Sequence, residues 1–216
     1  MPRSFVSLLL LLAAALGLAC DAGGAGQSGG ESAAQATARR LGLHGTALAA
    51  SLPRPHFVLT DTAGHAFDFH ARTQGRLTLL YFGYTNCPDI CPLQLSHLAA
   101  ALDKLPKLRD QIDVVFVGVD AARDTPKRVR SWLDHFDPNF YGLTGTDLAL
   151  QRAQLAASVP TASVEARFKG GYTVSHAGWV LVVTPDDQLR LRYQSSVGSD
   201  EWAHDLPILL KEKWPG

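Results

Sequence analysis

The stretch that most constrains this chain is Leu77-Thr78-Leu79-Leu80-Tyr81-Phe82-Gly83, a continuous apolar run ending in glycine, which leads almost at once into Cys87-Pro88-Asp89-Ile90-Cys91-Pro92. An uninterrupted run of this kind marks a central strand buried on both faces. A helix follows it. Pro92 suits a first turn, and Leu95, Leu98, Ala99, Leu102 and Leu105 recur at three- and four-residue spacing up to the breaker Pro106. Ile112 to Val119 is a second buried strand. Strand, helix and strand in that order imply a right-handed crossover and parallel pairing, and with them an α/β class.

The flanking pattern extends this unit in both directions. Phe57 to Thr60 and Ala66 to Phe69 read as two short strands around the turn Asp61-Thr62-Ala63-Gly64. Thr125-Pro126 is an N-cap with proline behind it, opening a helix that carries Val129, Trp132, Leu133 and Phe136 on one face. Tyr141 to Thr144 is a further short strand, followed by a helix for which Asp147 is the candidate cap. Trp179 to Thr184 and Leu189 to Tyr193 flank Pro185-Asp186-Asp187-Gln188 as an antiparallel hairpin. Ser199 is the candidate cap of a last helix with Trp202, Leu206, Leu209 and Leu210. The order predicts a thioredoxin-like fold with an N-terminal β-hairpin extension.

The N-terminus reads as an export signal over residues 1–19: Arg3 supplies the positive charge, and Phe5 to Leu16 is apolar except for Ser7. That run is shorter than the roughly 20 residues a membrane-crossing helix needs, so a permanent anchor is the weaker alternative. Leu16-Gly17-Leu18-Ala19-Cys20 resembles the lipobox of bacterial lipoproteins, with Gly17 where that pattern commonly has leucine. The resemblance implies lipidation of Cys20, the alternative being simple cleavage after Ala19. Asp21 behind it resembles the signal that keeps some lipoproteins at the inner membrane. Residues 20–50 read as a flexible tether whose first half is too small and polar to fold, although Ala36 to Ala50 is compatible with a short helix. The folded domain is expected over residues 51–216.

Composition excludes more than it selects. Twenty Lys and Arg balance twenty Asp and Glu, which removes the basic footprint of a nucleic-acid binder. Three cysteines are too few for a disulfide scaffold. Cys87 and Cys91 sit where a strand of an open parallel sheet passes into a helix, the place where sites form. The amides and dipole of a helix N-terminus stabilise thiolate, so both cysteines are expected to be acidic. In an exported protein the pair suits redox exchange or soft-metal binding. A purely stabilising disulfide across three residues would remove little chain entropy. Dithiol oxidoreductase loops normally have two intervening residues rather than three, and a peroxiredoxin-like site would want threonine where Tyr84 stands. Two thiolates suit Cu(I), with an imidazole as third ligand. Of the eight histidines, His44 lies in the tail, His56, His65 and His70 around the first hairpin, and His97, His135 and His204 within predicted helices. His176 alone directly precedes the late strand, near the edge where such a fold faces its active loop.

Phe82-Gly83-Tyr84-Thr85 running into Cys87-Pro88-Asp89-Ile90-Cys91-Pro92, then Val119-Asp120 with Arg123-Asp124-Thr125-Pro126, then Tyr172, Val174 and His176, resembles the Sco/SenC family of copper metallochaperones. The similarity is ordered and spans roughly Leu59 to Tyr193. It implies Cys87 and Cys91 as thiolate ligands and His176 as the imidazole ligand of Cu(I) or Cu(II). It further implies an exported protein tethered to the periplasmic face of the bacterial inner membrane, acting in cytochrome c oxidase assembly. The implied partners are the apo copper-bearing oxidase subunit, other copper chaperones or thiol reductants, and the membrane itself. Thiol–disulfide oxidoreductase and copper-responsive redox sensor are the alternatives on the same cysteine pair. Family members commonly carry aspartate before the ligand histidine, where this chain has Ser175. Asp120, at the end of the strand beside the cysteine-bearing one, is the candidate to support the site from a second layer.

Overall fold

The structure, a computed structural model, describes residues 31–214. The readings of residues 1–19 as an export signal and of Cys20 as a lipid carrier lie outside the described residues. In chain order the first elements are α1 (Ala33–Arg40), β1 (Thr46–Pro53), β2 (Val58–Asp61), β3 (Ala66–Asp68), α2 (Phe69–Thr73), β4 (Leu77–Gly83) and α3 (Ile90–Asp103). They are followed by β5 (Ile112–Gly118), α4 (Pro126–Leu133), β6 (Tyr141–Thr144), α5 (Asp147–Ala156), β7 (Ser163–Phe168), β8 (Gly171–Ser175), β9 (Trp179–Thr184), β10 (Gln188–Gln194) and α6 (Ser199–Lys211).

The expected α/β architecture is present. All seven residues of β4 and all seven of β5 are buried, and the two pair in parallel from Leu77 opposite Ile112 to Gly83 opposite Gly118. β6 continues the parallel run beyond β5, while β9 lies antiparallel on the other side of β4. The full sheet has the order β1-β10-β9-β4-β5-β6-β2-β3. The β2–β3 hairpin is the predicted one, and it is no appendage: Thr60 and Asp61 pair with Thr144 and Leu143, so it completes one edge of the sheet. Helices α3 and α6 pack together, and α6 buries Trp202, Leu206 and Leu209. Trp202 stacks on Tyr193 with ring centroids 4.0 Å apart.

Two helix starts shift by one residue from the sequence reading. Thr146 rather than Asp147 caps α5, accepting the amide of Ala149 at 3.3 Å. Gly198 rather than Ser199 stands at the N-cap of α6, where its amide donates to Glu201 at 3.0 Å. Each shift moves the cap to the residue with extended backbone, the conformation a cap requires.

The tether expected over residues 20–50 is the larger correction, because order begins well before Ser51. Ser32 and Gln35 form a reciprocal capping box at the start of α1. β1 then pairs with β10 and closes the second edge of the sheet. What tethers these residues is tertiary: Ala34, Ala38 and Ala47 are buried against the body of the domain, and their small side chains give no hydrophobic periodicity to read. Just after β1, Arg54 is 3% exposed and donates to the Thr73 and Thr78 hydroxyls, the Arg76 and Thr184 carbonyls and the Asp187 carboxylate. It fastens the end of the sheet opposite the cysteines. The β7–β8 hairpin has no signature in the sequence, because every residue of β7 is exposed and no alternation marks it.

A chain shortened to begin at Ser51 is therefore expected to be less stable than one beginning at Glu31 by at least about 2 kcal/mol, since it bares the edge of β10 and the face under α1. Urea unfolding of the two chains measures this, and equal midpoints would show that α1 and β1 are dispensable.

Candidate metal centre

Strand β4 delivers the cysteines and strand β9 delivers the histidine. Tyr81 pairs with Val180 across the antiparallel β4–β9 ladder, so the end of β4 lies beside the start of β9. Chain leaving β4 toward Cys87 and chain arriving at Trp179 through His176 are thus forced together, although 85 residues separate Cys91 from His176. The sulfurs of Cys87 and Cys91 and a ring nitrogen of His176 all lie within 4.8 Å of one another. Both thiols are free. Gly83 makes room for the arrangement: a Cβ there would sit 2.9 Å from the Cys91 sulfur and 2.9 Å from the Phe116 ring.

His176 is oriented by the backbone. Its Nδ1 lies 2.9 Å from the Phe82 carbonyl oxygen and 3.2 Å from that of Ala177. Carbonyl oxygen only accepts, so Nδ1 carries the proton and Nε2 presents its lone pair to the sulfurs. Nε2 is 3.5 Å from the Cys91 sulfur. The rings of Tyr81 and Tyr84 meet the imidazole edge to face, with centroids 6.1 and 5.5 Å away. A main-chain carbonyl therefore does what a carboxylate before the histidine would do, and serine at position 175 leaves the ring no less fixed.

The two thiols are unequal, which corrects the expectation that both are acidic. The Cys87 thiol is lowered to about 4, chiefly by the Cys91 thiol as hydrogen-bond donor, with help from the amides of Asp89 and Cys91, against a desolvation cost. The Cys91 amide lies 3.4 Å from the Cys87 sulfur, an orphan donor of the first turn of α3 aimed at the thiolate. Cys91 is fully buried, and burial first and the neighbouring Cys87 second push its thiol up. One proton is thus held by Cys91 while Cys87 carries the negative charge. The Tyr81 hydroxyl, 3.4 Å from the Cys91 sulfur, is itself pushed far up by burial and by the cysteines.

A second layer holds the loops that carry these groups. Buried Asp124 accepts from the Thr85 amide at 3.0 Å, the Thr85 hydroxyl at 2.7 Å and the Asp120 amide at 3.2 Å, pinning the cysteine loop to the loop after β5. Burial, ahead of every other influence, raises the Asp124 carboxyl. Asp120 does not support the ring of His176 directly. It pairs with Arg123 and accepts the Tyr172 hydroxyl at 2.9 Å, which ties β8 to the same loop. The Arg123 guanidinium lies 3.6 Å from the centre of the Tyr172 ring and 5.8 Å from that of Tyr84. The Arg-Asp-Thr-Pro segment was legible in the sequence as a motif; its work, bracing Thr85 and Tyr84 from below, was not.

Cys87 and His176 open onto a cleft walled by Pro88 and Ile90 on one side and by Val174 and Ser175 on the other. Two sulfurs and one imidazole at this separation form a soft, three-donor set, fit for Cu(I) and able to add a further ligand for Cu(II). Another cleft, lined by Arg76, Arg109, Asp113 and Asp137, offers no comparable site because Arg76 pairs with Asp113 and Arg109 with Asp137.

Comparison with known proteins agrees with this geometry. The family model described as SCO1/SenC matches residues 46–211. A curated candidate copper-binding protein of Stutzerimonas stutzeri is 35% identical over 164 residues, 74% of this chain and 79% of that protein. The solution structure of apo Sco1 from Thermus thermophilus is 33% identical, with a TM-score of 0.69 over 78% of this chain and 97% of that one. The copper-bound structure of ScoI from Bradyrhizobium japonicum is 30% identical, with a TM-score of 0.66 over 74% of this chain and all of that one. Other curated relatives are matched over less than half their length, as with the SCO2-like protein of Rickettsia conorii, at 42% identity over 44% of that protein.

The thiol asymmetry has a direct readout. Alkylation of Cys87 by iodoacetamide is expected to proceed at a nearly constant rate from about pH 5.5 to 8, because a group titrating near 4 is already thiolate throughout. An ordinary thiol would gain about tenfold per pH unit over that range. Such a climb, followed by mass spectrometry of the Cys87 peptide, would place the charge elsewhere.

Proposed function

The chain belongs to the SCO1/SenC family, and from that premise we propose that it binds one copper ion through Cys87, Cys91 and His176 and passes it to the apo copper-bearing subunit of cytochrome c oxidase. The observation that carries this reading is the convergence of two free thiols with an imidazole whose Nδ1 is committed to the Phe82 carbonyl, leaving Nε2 as a donor. The protein named ScoI from Bradyrhizobium japonicum and that named Sco1 from yeast, 30% and 28% identical to this chain, have been solved with copper bound. Copper is accordingly the cargo. In this reading a lipid on Cys20 holds the domain at the periplasmic face of the inner membrane, and the acceptor takes the metal by ligand exchange.

The cleft beside Cys87 supports that exchange. Cys87 and His176 face an opening while Cys91 is fully buried, so an incoming ligand replaces Cys87 or His176 first and Cys91 last. A second reading, reduction of the acceptor's cysteines, is favoured by the same inequality: an acidic Cys87 suits attack and a protonated Cys91 suits resolution of a mixed disulfide. His176 separates the two readings, because ligation needs its nitrogen and thiol exchange does not.

Titration of the reduced chain with Cu(I), and with Cu(II) read by its thiolate-to-copper absorption, is expected to give one ion per chain at the cysteine centre, and oxidation of Cys87 and Cys91 to a disulfide to abolish that binding, since a disulfide offers no thiolate. His176→Ala is expected to keep a reducible pair and Cu(I) binding, to weaken Cu(II) at least about tenfold, and to fail in oxidase assembly. An assembly-competent His176→Ala chain whose cysteines bind no Cu(II) would turn the assignment to the reductase reading. Cys20→Ala is expected to release the protein from the membrane fraction, and its retention there would replace the lipid by an uncleaved anchor.

A further inference from the structure

Two histidines that the sequence leaves in unrelated places meet at a buried carboxylate. His44 lies in the turn between α1 and β1, and His204 on α6, yet His44, His204 and Asp205 bring donor atoms within 4.8 Å of one another. Asp205 is wholly buried, whereas the two imidazole side chains are 42% and 52% exposed. One carboxylate oxygen, Oδ1, lies 2.9 Å from Nδ1 of His44 and 2.7 Å from Nδ1 of His204. The other, Oδ2, accepts the His44 amide at 2.7 Å and the Tyr193 hydroxyl at 2.7 Å. The rings stand nearly perpendicular, at 87°, with centroids 5.3 Å apart.

We propose that His44, His204 and Asp205 form a second metal site, distinct from the cysteine centre, that takes a divalent transition-metal cation and holds Cu(II) most tightly. The geometry is close to what ligation needs. Donors about 2.0 Å from one ion and at right angles to each other are about 2.8 Å apart, which is the separation already present between each Nδ1 and Oδ1. An ion seated between them replaces the two N–H hydrogens. Each neutral ring keeps its single proton by carrying it on Nε2. Oδ2 remains bonded to the His44 amide and the Tyr193 hydroxyl, and so fixes the ligating carboxylate.

The donor set differs in kind from the first. Two imidazoles and a carboxylate favour borderline divalent ions in the order that peaks at Cu(II), and they give Cu(I) no thiolate. The two sites are also neighbours. Tyr193 pairs with Val180 and Val180 with Tyr81, so one cross-strand row carries at one end the tyrosine that bonds Asp205 and at the other the tyrosine that bonds Cys91. Two strand spacings, roughly 10 Å, separate them at the backbone. A cation at the second site ties the α1–β1 segment to α6.

The test uses the full chain with Cys20→Ser, Cys87→Ser, Cys91→Ser and His176→Ala, so that the first site contributes no ligand. Titration with Cu(II) is expected to give one ion per chain with an electron paramagnetic resonance spectrum split by two imidazole nitrogens, and with Zn(II) one ion bound more weakly. His44→Ala or His204→Gln in that background is expected to weaken Cu(II) at least about tenfold and to remove the rise in melting temperature that the ion produces. His56→Ala with His70→Ala, the other close imidazole pair, is expected to leave both unchanged. His204→Gln alters only an exposed helix side chain, so the comparison holds even where a His44 variant fails to fold. No stoichiometric Cu(II), or binding unchanged by His204→Gln, would overturn the site and leave Asp205 as a hydrogen-bond hub.

Discussion

The antiparallel pairing of β4 with β9 is the contact on which the candidate centre depends. Tyr81 opposite Val180 sets the register, and from it follows that the chain leaving β4 and the chain entering β9 emerge at the same end of the sheet. A shift by one residue would turn every side chain of β9 to the opposite face and carry His176 away from the sulfurs. The register is secured by burial: five of the six residues of β9 and all of β4 lie in the core. The candidate centre is thus carried by two buried strands of the core.

Polarity is arranged around that apolar frame in a graded way. Hydrogen bonds to main-chain atoms do the positioning closest to the candidate ligands, through the Phe82 carbonyl and the amide of Cys91. Charged side chains stand one layer further out, where Asp124 holds Thr85 and Asp120 holds Arg123 and Tyr172. This ordering suits a site that gains and loses a cation. A formal carboxylate against the ring would add a permanent charge, whereas a carbonyl orients the ring and leaves the charge of the centre to the thiols and the ion. The inequality of Cys87 and Cys91 has the same origin, since one sulfur meets the helix N-terminus and the other the apolar interior.

The ends of the sheet are finished by unlike means. At the end away from the cysteines, one buried guanidinium, that of Arg54, gathers hydroxyls, carbonyls and a carboxylate from the α2–β4 stretch and from the β9–β10 turn. Burial lowers its affinity for its proton, and the Asp187 carboxylate opposes this. At the cysteine end the buried hubs are carboxylates, Asp124 and Asp205, each accepting three or more hydrogen bonds. A buried carboxylate served by several donors is a place where loops from distant parts of the chain can be joined without a large apolar interface.

The sequence by itself determined the parallel β4–α3–β5 unit, the β2–β3 and β9–β10 hairpins and the amphipathic helices, because burial on one or both faces writes a period into the residues. It also determined the cysteine pair and singled out His176, since their spacing and their place beside strands are local properties. Tertiary structure alone decided that α1 and β1 belong to the domain, as alanines facing the body carry no period, and that an exposed hairpin at β7–β8 flanks the cleft. It alone decided that Phe82, rather than Asp120, holds the histidine, because a main-chain carbonyl has no letter in a sequence. It likewise decided that Cys91 is buried and protonated while Cys87 is charged, and that His44 and His204 share Asp205. Each of these is a through-space relation between residues distant in the chain or differently buried, and a relation of that kind exists only once the sheet has closed.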